Sequence, residues 1–419
     1  MSNNVGLAKK IISYGYFANE IPKEFTSEQL GILLDSIDMS KSKLSKLLKK
    51  WSKSIEFSIP KTENFRRTVS IPNPLQYILL SKMLEDNWNE LEEYFNKSDV
   101  SLTTPIISKD KNQSIKPKYE MKEKIYRRIK NLGNNKYILQ TDITRYFPSI
   151  YTHSISWALH TKEVSKANIR DSSLLGNKID ELVRNSQDGQ TIGIPIGPIT
   201  SLVIQEIIGT AIDDEFKNEI GIEVNGYRYT DDMEYYFKSL EDAEKALRLL
   251  NVIAKRYQLE LNSLKTKIIK TPDRLEADWI YFFKTFKFRK SNNSRIGLAV
   301  QKSDLISYFS KAFDYFKNKN EKGILTYALK TVRKTVIMKE NWDTFESLVL
   351  NTALIDPFTI PTAFETIEGY KYRGYSINID KITGFVNLLI KDNIDIKNDF
   401  EVTWGLSVSG ILKSMQTGL

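Results

Sequence analysis

The sequence predicts an α+β fold: an antiparallel sheet with packed helices, followed by an α-helical C-terminal module. Two observations predict it. Between residues 136 and 290, β-type runs alternate with amphipathic helical stretches. After about Asp304 the pattern turns mostly helical, with aromatic-rich periodic segments such as Leu305 to Phe316 and Trp342 to Leu354. Three domains are therefore expected: 1–135, 136–295 and an α-rich, repeat-like 296–419, although no exact repeat period is present.

Each element has a local reason. Residues 1–60 read as helical. Thr26-Ser27-Glu28-Gln29 has capping-box spacing ahead of Leu30, Ile32, Leu33 and Leu34. From Lys41 to Lys53, Leu44, Leu47, Leu48 and Trp51 fall on one helical face with lysines elsewhere, giving either a solvated basic surface or a phosphate-contacting one. Phe65 to Leu80 reads as a short β element, a Pro-Asn-Pro turn and a helix start, and the polar stretch Ser98 to Lys118 as an exposed loop. Then come a strand at Lys136 to Ile143, helices at Ser154 to His160 and Ile199 to Phe216, and a hairpin at Glu223 to Phe237. A helix at Leu240 to Tyr257 and a strand at Thr266 to Thr271 complete the pattern.

Composition narrows the chemistry. The 419 residues carry 61 Lys+Arg against 52 Asp+Glu, a net charge of +9 that favours anionic partners. There is no cysteine, which excludes disulfides, thiol nucleophiles and Cys-containing zinc sites. The only histidines are His153 and His160, so a three-His metal site is excluded as well. Carboxylates, hydroxyls and lysines remain, and these suit magnesium. The longest apolar stretch, Gly193 to Ile212, is broken by Pro195, Pro198, Gln205 and Glu206 and cannot span a bilayer. No signal-peptide pattern opens the chain. A soluble cytoplasmic protein without a membrane partner is expected.

Three segments carry the chemistry. YILQTDITRYFPSIYTHSISWALH brings Asp142 to the end of a β run; GIPIGPITSLVIQEI is a Gly/Pro loop opening a helix; YRYTDDMEYYF sets Asp231 and Asp232 at a hairpin tip. Phosphoryl transfer to a nucleotide uses two divalent cations about 3.5–4 Å apart on oxygen ligands. Successive strand residues face opposite ways, so the economical arrangement pairs Asp142 with Asp231, the carbonyl of Ile143 helping and Asp232 in support. Asp213-Asp214, by contrast, falls late in a predicted helix and reads as a solvated face.

In this order the segments resemble a reverse transcriptase palm. Asp142 with Phe147 resembles motif A, Gly193 to Ser201 motif B, Tyr229-Thr230-Asp231-Asp232 motif C, and Leu261-Asn262-Ser263-Leu264-Lys265-Thr266 motif D. Arg66 to Tyr77 is similar to the fingers segment. Within that superfamily, Gly15-Tyr16-Phe17, Glu20-Ile21-Pro22, Phe25-Thr26, the extended motif A through His160 and Phe400 to Trp404 resemble the bacterial defence-associated and abortive-infection enzymes. Motif B departs from the common Pro-Gln-Gly, having Ile196 in place of Gln.

The resemblance implies a right-hand polymerase. Residues 1–135 become an N-terminal helical extension and fingers, 136–295 the palm, and 296–419 the helical module. The implied activity is RNA-directed DNA synthesis in antiphage defence on a noncoding RNA, with dNTPs as substrates, DNA as product, two Mg²⁺ (Mn²⁺ as a substitute), and a homo-oligomer compatible with the helical tail. Asp142, Asp231 and Asp232 are then catalytic and, with Ile143, hold the metals. Phe147, Gly197, Lys265 and Arg66 face the nucleotide, and Gly193, Pro195 and Tyr229 the template and primer. Phe147 stands where a bulky aromatic blocks a 2′-OH, although it or Tyr146 also reads as core. Arg67, Arg127 and Arg128 are further phosphate candidates. His160 reads as a satisfied helix residue, and Tyr151, Tyr308, Tyr315 and Tyr327 as priming hydroxyls or, for most of them, packing groups. Three alternatives stand beside this reading: untemplated or protein-primed synthesis, a retron or group II intron enzyme, and a non-catalytic nucleic-acid-binding scaffold.

Overall fold

The computed structural model describes residues 6–36, 50–62, 65–290, 293–319 and 321–417. The expected basic helix at Lys41 to Lys53 lies outside these except for residues 50–53, which are not helical and which carry an exposed Trp51. Two compact units form: Met1–Asn19, Phe25–Glu56 and Val69–Leu275 in one, and Glu20–Glu24, Phe57–Thr68 and Glu276–Leu419 in the other.

In the first unit, α1 (Leu7–Tyr14) and α2 (Glu28–Leu33) lead to a hairpin of β1 (Ile55–Thr62) and β2 (Phe65–Ile71), so the N-terminal region is not wholly helical. The capping box does not form. Ser27, not Thr26, is the N-cap of α2, and its hydroxyl donates to the Ser13 carbonyl at 2.9 Å instead of capping. The Pro-Asn-Pro turn does start α3 (Pro74–Asp86), because Asn73 Oδ1 accepts from the Leu75 amide and Pro74 stands at the first turn. After α4 (Trp88–Phe95), the stretch expected to be an exposed loop contains β3 (Pro105–Ile107) paired antiparallel with β4 (Ile115–Pro117). Leu102, Thr103 and Ser114 there are buried, since their neighbours in space come from far along the chain.

Next come α5 (Glu123–Leu132), β5 (Tyr137–Asp142), α6 (Tyr146–Ser149), α7 (Ser154–His160), α8 (Lys162–Ala167) and α9 (Leu175–Asn185). They are followed by α10 (Ile199–Ile220), β6 (Asn225–Tyr229), β7 (Asp232–Phe237), α11 (Leu240–Arg256) and β8 (Lys267–Lys270). Strands β6, β7, β5 and β8 form one antiparallel sheet in that order. Helix α10 is apolar nearly all round, with Val203, Ile204, Ile207, Ile208 and Ile212 all buried, as befits a helix enclosed by protein. Helix α11 buries one stripe, Ala243, Ala246, Leu250 and Ile253, and is capped by Ser239, whose Oγ accepts from the Asp242 amide.

The second unit is helical around the two short segments. Its helices are α12 (Asp278–Thr285), α13 (Ser294–Asn318), α14 (Ile324–Val332), α15 (Trp342–Ile355), α16 (Ile360–Tyr372), α17 (Ile379–Asn393) and α18 (Asp399–Thr417). An aromatic core of Phe283, Tyr308, Phe309, Phe345 and Tyr370 fills it, with edge-to-face pairs such as Phe283 and Tyr308 at 5.1 Å. The segments 20–24 and 57–68 are tied in by Trp404 Nε1 donating to the Glu20 carbonyl at 2.9 Å and by the Ser58 amide donating to Asp399 at 2.8 Å. Among the described residues no helix is long and apolar enough to cross a membrane.

Asp356, between α15 and α16, accepts from the Phe358 amide at 3.2 Å, yet burial pushes its carboxyl up to about 6. The folded chain thus holds this proton more tightly than the unfolded chain, and the stabilisation present below about pH 4 is lost as pH rises through 6. Asp356→Asn, which keeps the accepting oxygen, should raise the melting temperature at pH 8, by roughly 2–4 °C per kcal/mol relieved. The gap from the parent should close between pH 6 and 4 in a thermal-shift series.

Candidate active site

The sheet register assembles the acidic site. Strand β5 ends on Asp142, whose partner across the ladder is Asp232, the first residue of β7. Asp232 also pairs with Tyr229, so Thr230 and Asp231 form a two-residue hairpin turn with Thr230 at φ +60°. The Ile143 amide donates to the Asp231 carbonyl at 3.3 Å, which fixes the turn against the end of β5. Asp142 is buried, at 5% exposure, whereas half of the Asp232 side chain is exposed. Burial, then the charges of Asp142 and Asp232, pushes the Asp231 carboxyl up to about 6.

Cations answer this concentration of charge. Lys265 Nζ lies 2.6 Å from Asp142 Oδ2, and Asn262 donates to the same residue twice, from its amide to the carbonyl at 2.7 Å and from Nδ2 to Oδ1 at 3.3 Å. Lys124 Nζ lies 3.1 Å from Asp232 and over the Tyr229 ring at 5.5 Å. Among the described residues no three acidic or histidine side chains converge on one point. Mg²⁺ commonly takes only one or two protein carboxylates and completes its shell with water and substrate phosphates. Asp142 and Asp231, with the Ile143 carbonyl, offer hard oxygen donors of that kind, and the raised Asp231 carboxyl marks a field that a divalent cation relieves.

Behind the turn lies a buried ionic cluster. Arg228 on β6 is fully buried and donates to Glu206 (Nη2 to Oε1, 2.7 Å) and Asp213 (Nε to Oδ2, 2.9 Å), both on α10. Burial raises the Asp213 carboxyl and the Arg228 charge draws it back. Asp213 is therefore not on a solvated face. It lies seven residues after Glu206, two helical turns along the same face, and Gly209 lies between them. A Cβ on Gly209 would sit 2.5 Å from the guanidinium carbon. Ser98 donates to Asp213, and Ser101 and Thr103 donate to Glu206, at 2.6, 2.5 and 3.1 Å. The cluster reaches the turn directly. Arg228 Nη1 donates to the Thr230 carbonyl at 3.2 Å, and the Thr230 amide donates to Thr103 Oγ1 at 3.1 Å. Sequence reading missed this set, noting Gln205 and Glu206 only as interruptions of an apolar run; the signal was an acid pair at i and i+7 flanking a glycine on an otherwise apolar helix.

The reverse transcriptase (RNA-dependent DNA polymerase) family profile matches residues 59–302, more than half of the chain. The chain belongs to that family. Solved structures of telomerase from Candida tropicalis are similar at 14% identity. The complex with the TWJ fragment of telomeric RNA gives a TM-score of 0.37 over 94% of this chain, and the apo form 0.36 over 97%. The chain spans about two thirds, 66%, of the first and 74% of the second. No curated protein sequence matches. The fold is thus the fingers and palm of a right-hand polymerase followed by a helical module, and the enzyme is an RNA-directed DNA polymerase.

In this reverse transcriptase the remaining expected residues fall into two groups. Phe147 is half-buried with its ring edge-to-face on Tyr146 at 5.9 Å, while Tyr146 is the core member, its hydroxyl donating to the Gln205 carbonyl at 2.7 Å. Gly193 (φ +86°) and Gly197 (φ +118°) both have left-handed backbone, and a Cβ on Gly197 would meet that of Ala18 at 2.8 Å. Pro195 and Ile196 lie between them, half-buried, and the Ile196 carbonyl accepts from the Ser70 amide at 2.7 Å.

The other group is engaged elsewhere. Arg66 makes a bidentate pair with Glu401 at 2.8 and 2.6 Å and bonds Ser58, all within the C-terminal unit. Arg67 pairs with Glu20 at 2.6 Å and Arg127 with Glu123 at 3.1 Å. Arg128 is not free for phosphate. It pairs with buried Glu234 and donates to the Arg274 carbonyl at 2.7 Å, because Glu234 needs a buried counter-charge. His160 Nε2 accepts from the Gly176 amide at 3.0 Å. Tyr151 packs edge-on against Trp157, and Tyr308 is buried with its hydroxyl on the Ala328 carbonyl at 2.9 Å. Tyr315 and Tyr327 pack on Phe283.

Removing Arg228 leaves two buried carboxylates without a counter-charge. Arg228→Ala should cost about 3–5 kcal/mol in urea unfolding, and Gly209→Ala about 1–3 kcal/mol by crowding the guanidinium. In both variants the activity lost should exceed what their unfolded fraction explains, because the cluster sets the Thr230–Asp231 turn.

Proposed function

We propose that this reverse transcriptase copies a dedicated noncoding RNA into DNA from dNTPs with two Mg²⁺, in the bacterial cytoplasm and in antiphage defence. The observation that carries the catalytic part is the register that sets Asp142 opposite Asp232 with Asp231 in the adjoining turn. When bound, the metals supply activation of the attacking hydroxyl and stabilisation of triphosphate charge. The chain's own part is to hold them on Asp142, Asp231 and the Ile143 carbonyl, with Asp232 in support. Lys265 places a cation beside the site where pyrophosphate charge develops. Phe147 screens the 2′ position of the incoming sugar. Gly197 is assigned to the nucleotide, and Gly193, Pro195 and Tyr229 to template and primer; Arg66, expected at the nucleotide, is instead held by Glu401. The defence role rests on likeness of motifs, from Gly15 through the extended motif A to Trp404.

A second reading draws on Ile196. Its side chain cannot donate a hydrogen bond and its carbonyl is held by Ser70, which favours loose template control and untemplated or protein-primed synthesis. The two readings part on one assay. Protein purified with its bound nucleic acid is given Mg²⁺ and labelled dNTPs, singly and together, and the product is sequenced. DNA complementary to a co-purified RNA supports the first, a product from one dNTP the second.

Asp231→Ala should reduce incorporation to background while RNA binding in a filter assay persists; persistence of the antiphage effect without incorporation would favour a scaffold instead. Phe147→Ala should raise the ratio of rNTP to dNTP kcat/KM, by roughly 10–200-fold if one steric contact decides the choice.

A further inference from the structure

Two rows of the sheet are matched by two cations on helix α5. Asp142, Asp232 and Tyr229 stand opposite one another on β5, β7 and β6, and the next row on the same face holds Gln140, Glu234 and Tyr227. Lys124 and Arg128 are one helical turn apart, about 6 Å, which fits the ~6.6 Å between alternate residues of a strand. The inner row is locked. Arg128 Nε donates to Glu234 Oε1 at 2.8 Å, Gln140 Nε2 donates to Oε2 of the same carboxylate at 2.7 Å, and Arg128 Nη1 donates to the Arg274 carbonyl at 2.7 Å. That anchor delivers Lys124 to the outer row. Its Nζ lies 3.1 Å from Asp232 Oδ2, 5.5 Å from the centre of the Tyr229 ring and 5.8 Å from that of Tyr227.

The two lysines at the acidic site are therefore held differently. Lys265 meets Asp142 with a side chain that is 60% exposed, whereas that of Lys124 is 25% exposed and is bounded by a carboxylate and two rings. A divalent cation that competes for these oxygens displaces Lys265 more readily than Lys124. We propose that Lys124 is a positioning residue that keeps Asp232 out of the metal-binding set, so that Asp142 and Asp231 hold the ions while Asp232 stays on its lysine. Without nucleotide, the site then offers two carboxylates rather than three and binds a divalent cation weakly until triphosphate oxygens complete the shell. This inference rests on the metal reading proposed above and assigns Asp232 a role within it.

The test measures Mn²⁺ binding by electron paramagnetic resonance on the full chain, stripped of nucleic acid and without dNTPs. Lys124→Met keeps the length of the stem and removes the charge; its dissociation constant for Mn²⁺ should fall about tenfold, since a positive charge beside the dication is lost and Asp232 is freed. Asp232→Asn should change the affinity less than about twofold in the parent but weaken it about tenfold in the Lys124→Met background, a coupling that a purely structural lysine does not produce. Lys124→Arg should keep the parental affinity, and Lys124→Gln repeats the measurement if Lys124→Met does not fold. Mn²⁺ binding that Asp231→Ala leaves unchanged would overturn the metal site and this inference with it. Binding that depends on Asp231 but is unchanged or weaker in Lys124→Met, or an Asp232→Asn effect equal in both backgrounds, rejects this inference alone.

Discussion

The buried Arg228 is the constraint on which the rest of the active-site geometry depends. A guanidinium in the interior is tolerated only if its five donors find acceptors and its charge is matched. Glu206 and Asp213 meet that need from one face of α10, and Gly209 leaves the space for it. The consequence travels outward in both directions. Helix α10 cannot rotate relative to β6 without breaking the pair, and the segment around Ser98 to Thr103 is drawn in by the remaining acceptor capacity of the two carboxylates. A hydrophobic replacement of equal volume would pack the same space, but it would not donate to the Thr230 carbonyl. The cluster therefore sets a turn as well as filling a core.

That turn determines where negative charge accumulates. Asp142, Asp231 and Asp232 repel one another, and burial of Asp231 adds to the cost. Folding alone would not select such an arrangement; the rigid hairpin and the Lys265 and Lys124 counter-charges are what allow it to persist. The two lysines differ from Arg228 in kind. Lys265 is largely exposed and contacts the site by a single flexible ammonium, whereas Arg228 is locked from several sides. The inner cation is fixed by the fold, whereas Lys265 reaches solvent.

Much of this was legible in the sequence because it is local. The strand ending on Asp142, the hairpin from Glu223 to Phe237, the helix start after the Pro-Asn-Pro turn and the helix from Leu240 each follow from a few adjacent residues, and the structure has them, with the hairpin tip at Thr230 and Asp231 and not at Asp231 and Asp232. What failed was decided at a distance. Asp213 looked solvated because helical position alone does not announce an arginine fifteen residues later in a neighbouring strand. The segment from Ser98 looked like loop because its composition is polar, yet its hydroxyls are acceptors and donors for α10 and β6. Thr26 to Gln29 had the spacing of a cap, but Ser27 found the Ser13 carbonyl instead. Arg128 looked like a phosphate ligand because any arginine does until its partner, here Glu234, is known.

The same distinction bears on the chain's net positive charge. Arg66, Arg128, Arg228, Arg256 and Arg289 all pair with carboxylates inside their own unit, and in the first four the fork of the guanidinium matches the carboxylate's two oxygens. Such cations contribute to the formal charge but present little of it to a ligand, since each is neutralised where it stands. The field that a polyanion meets is set instead by lysines whose ammonium groups reach solvent on flexible stems. Lysine is the better residue for that work: it is strongly hydrated, it gives up one contact for another without a fixed geometry, and it follows a backbone of phosphates without specifying sequence. Paired arginines serve the fold, and lysines that reach solvent carry the charge that a polyanion meets.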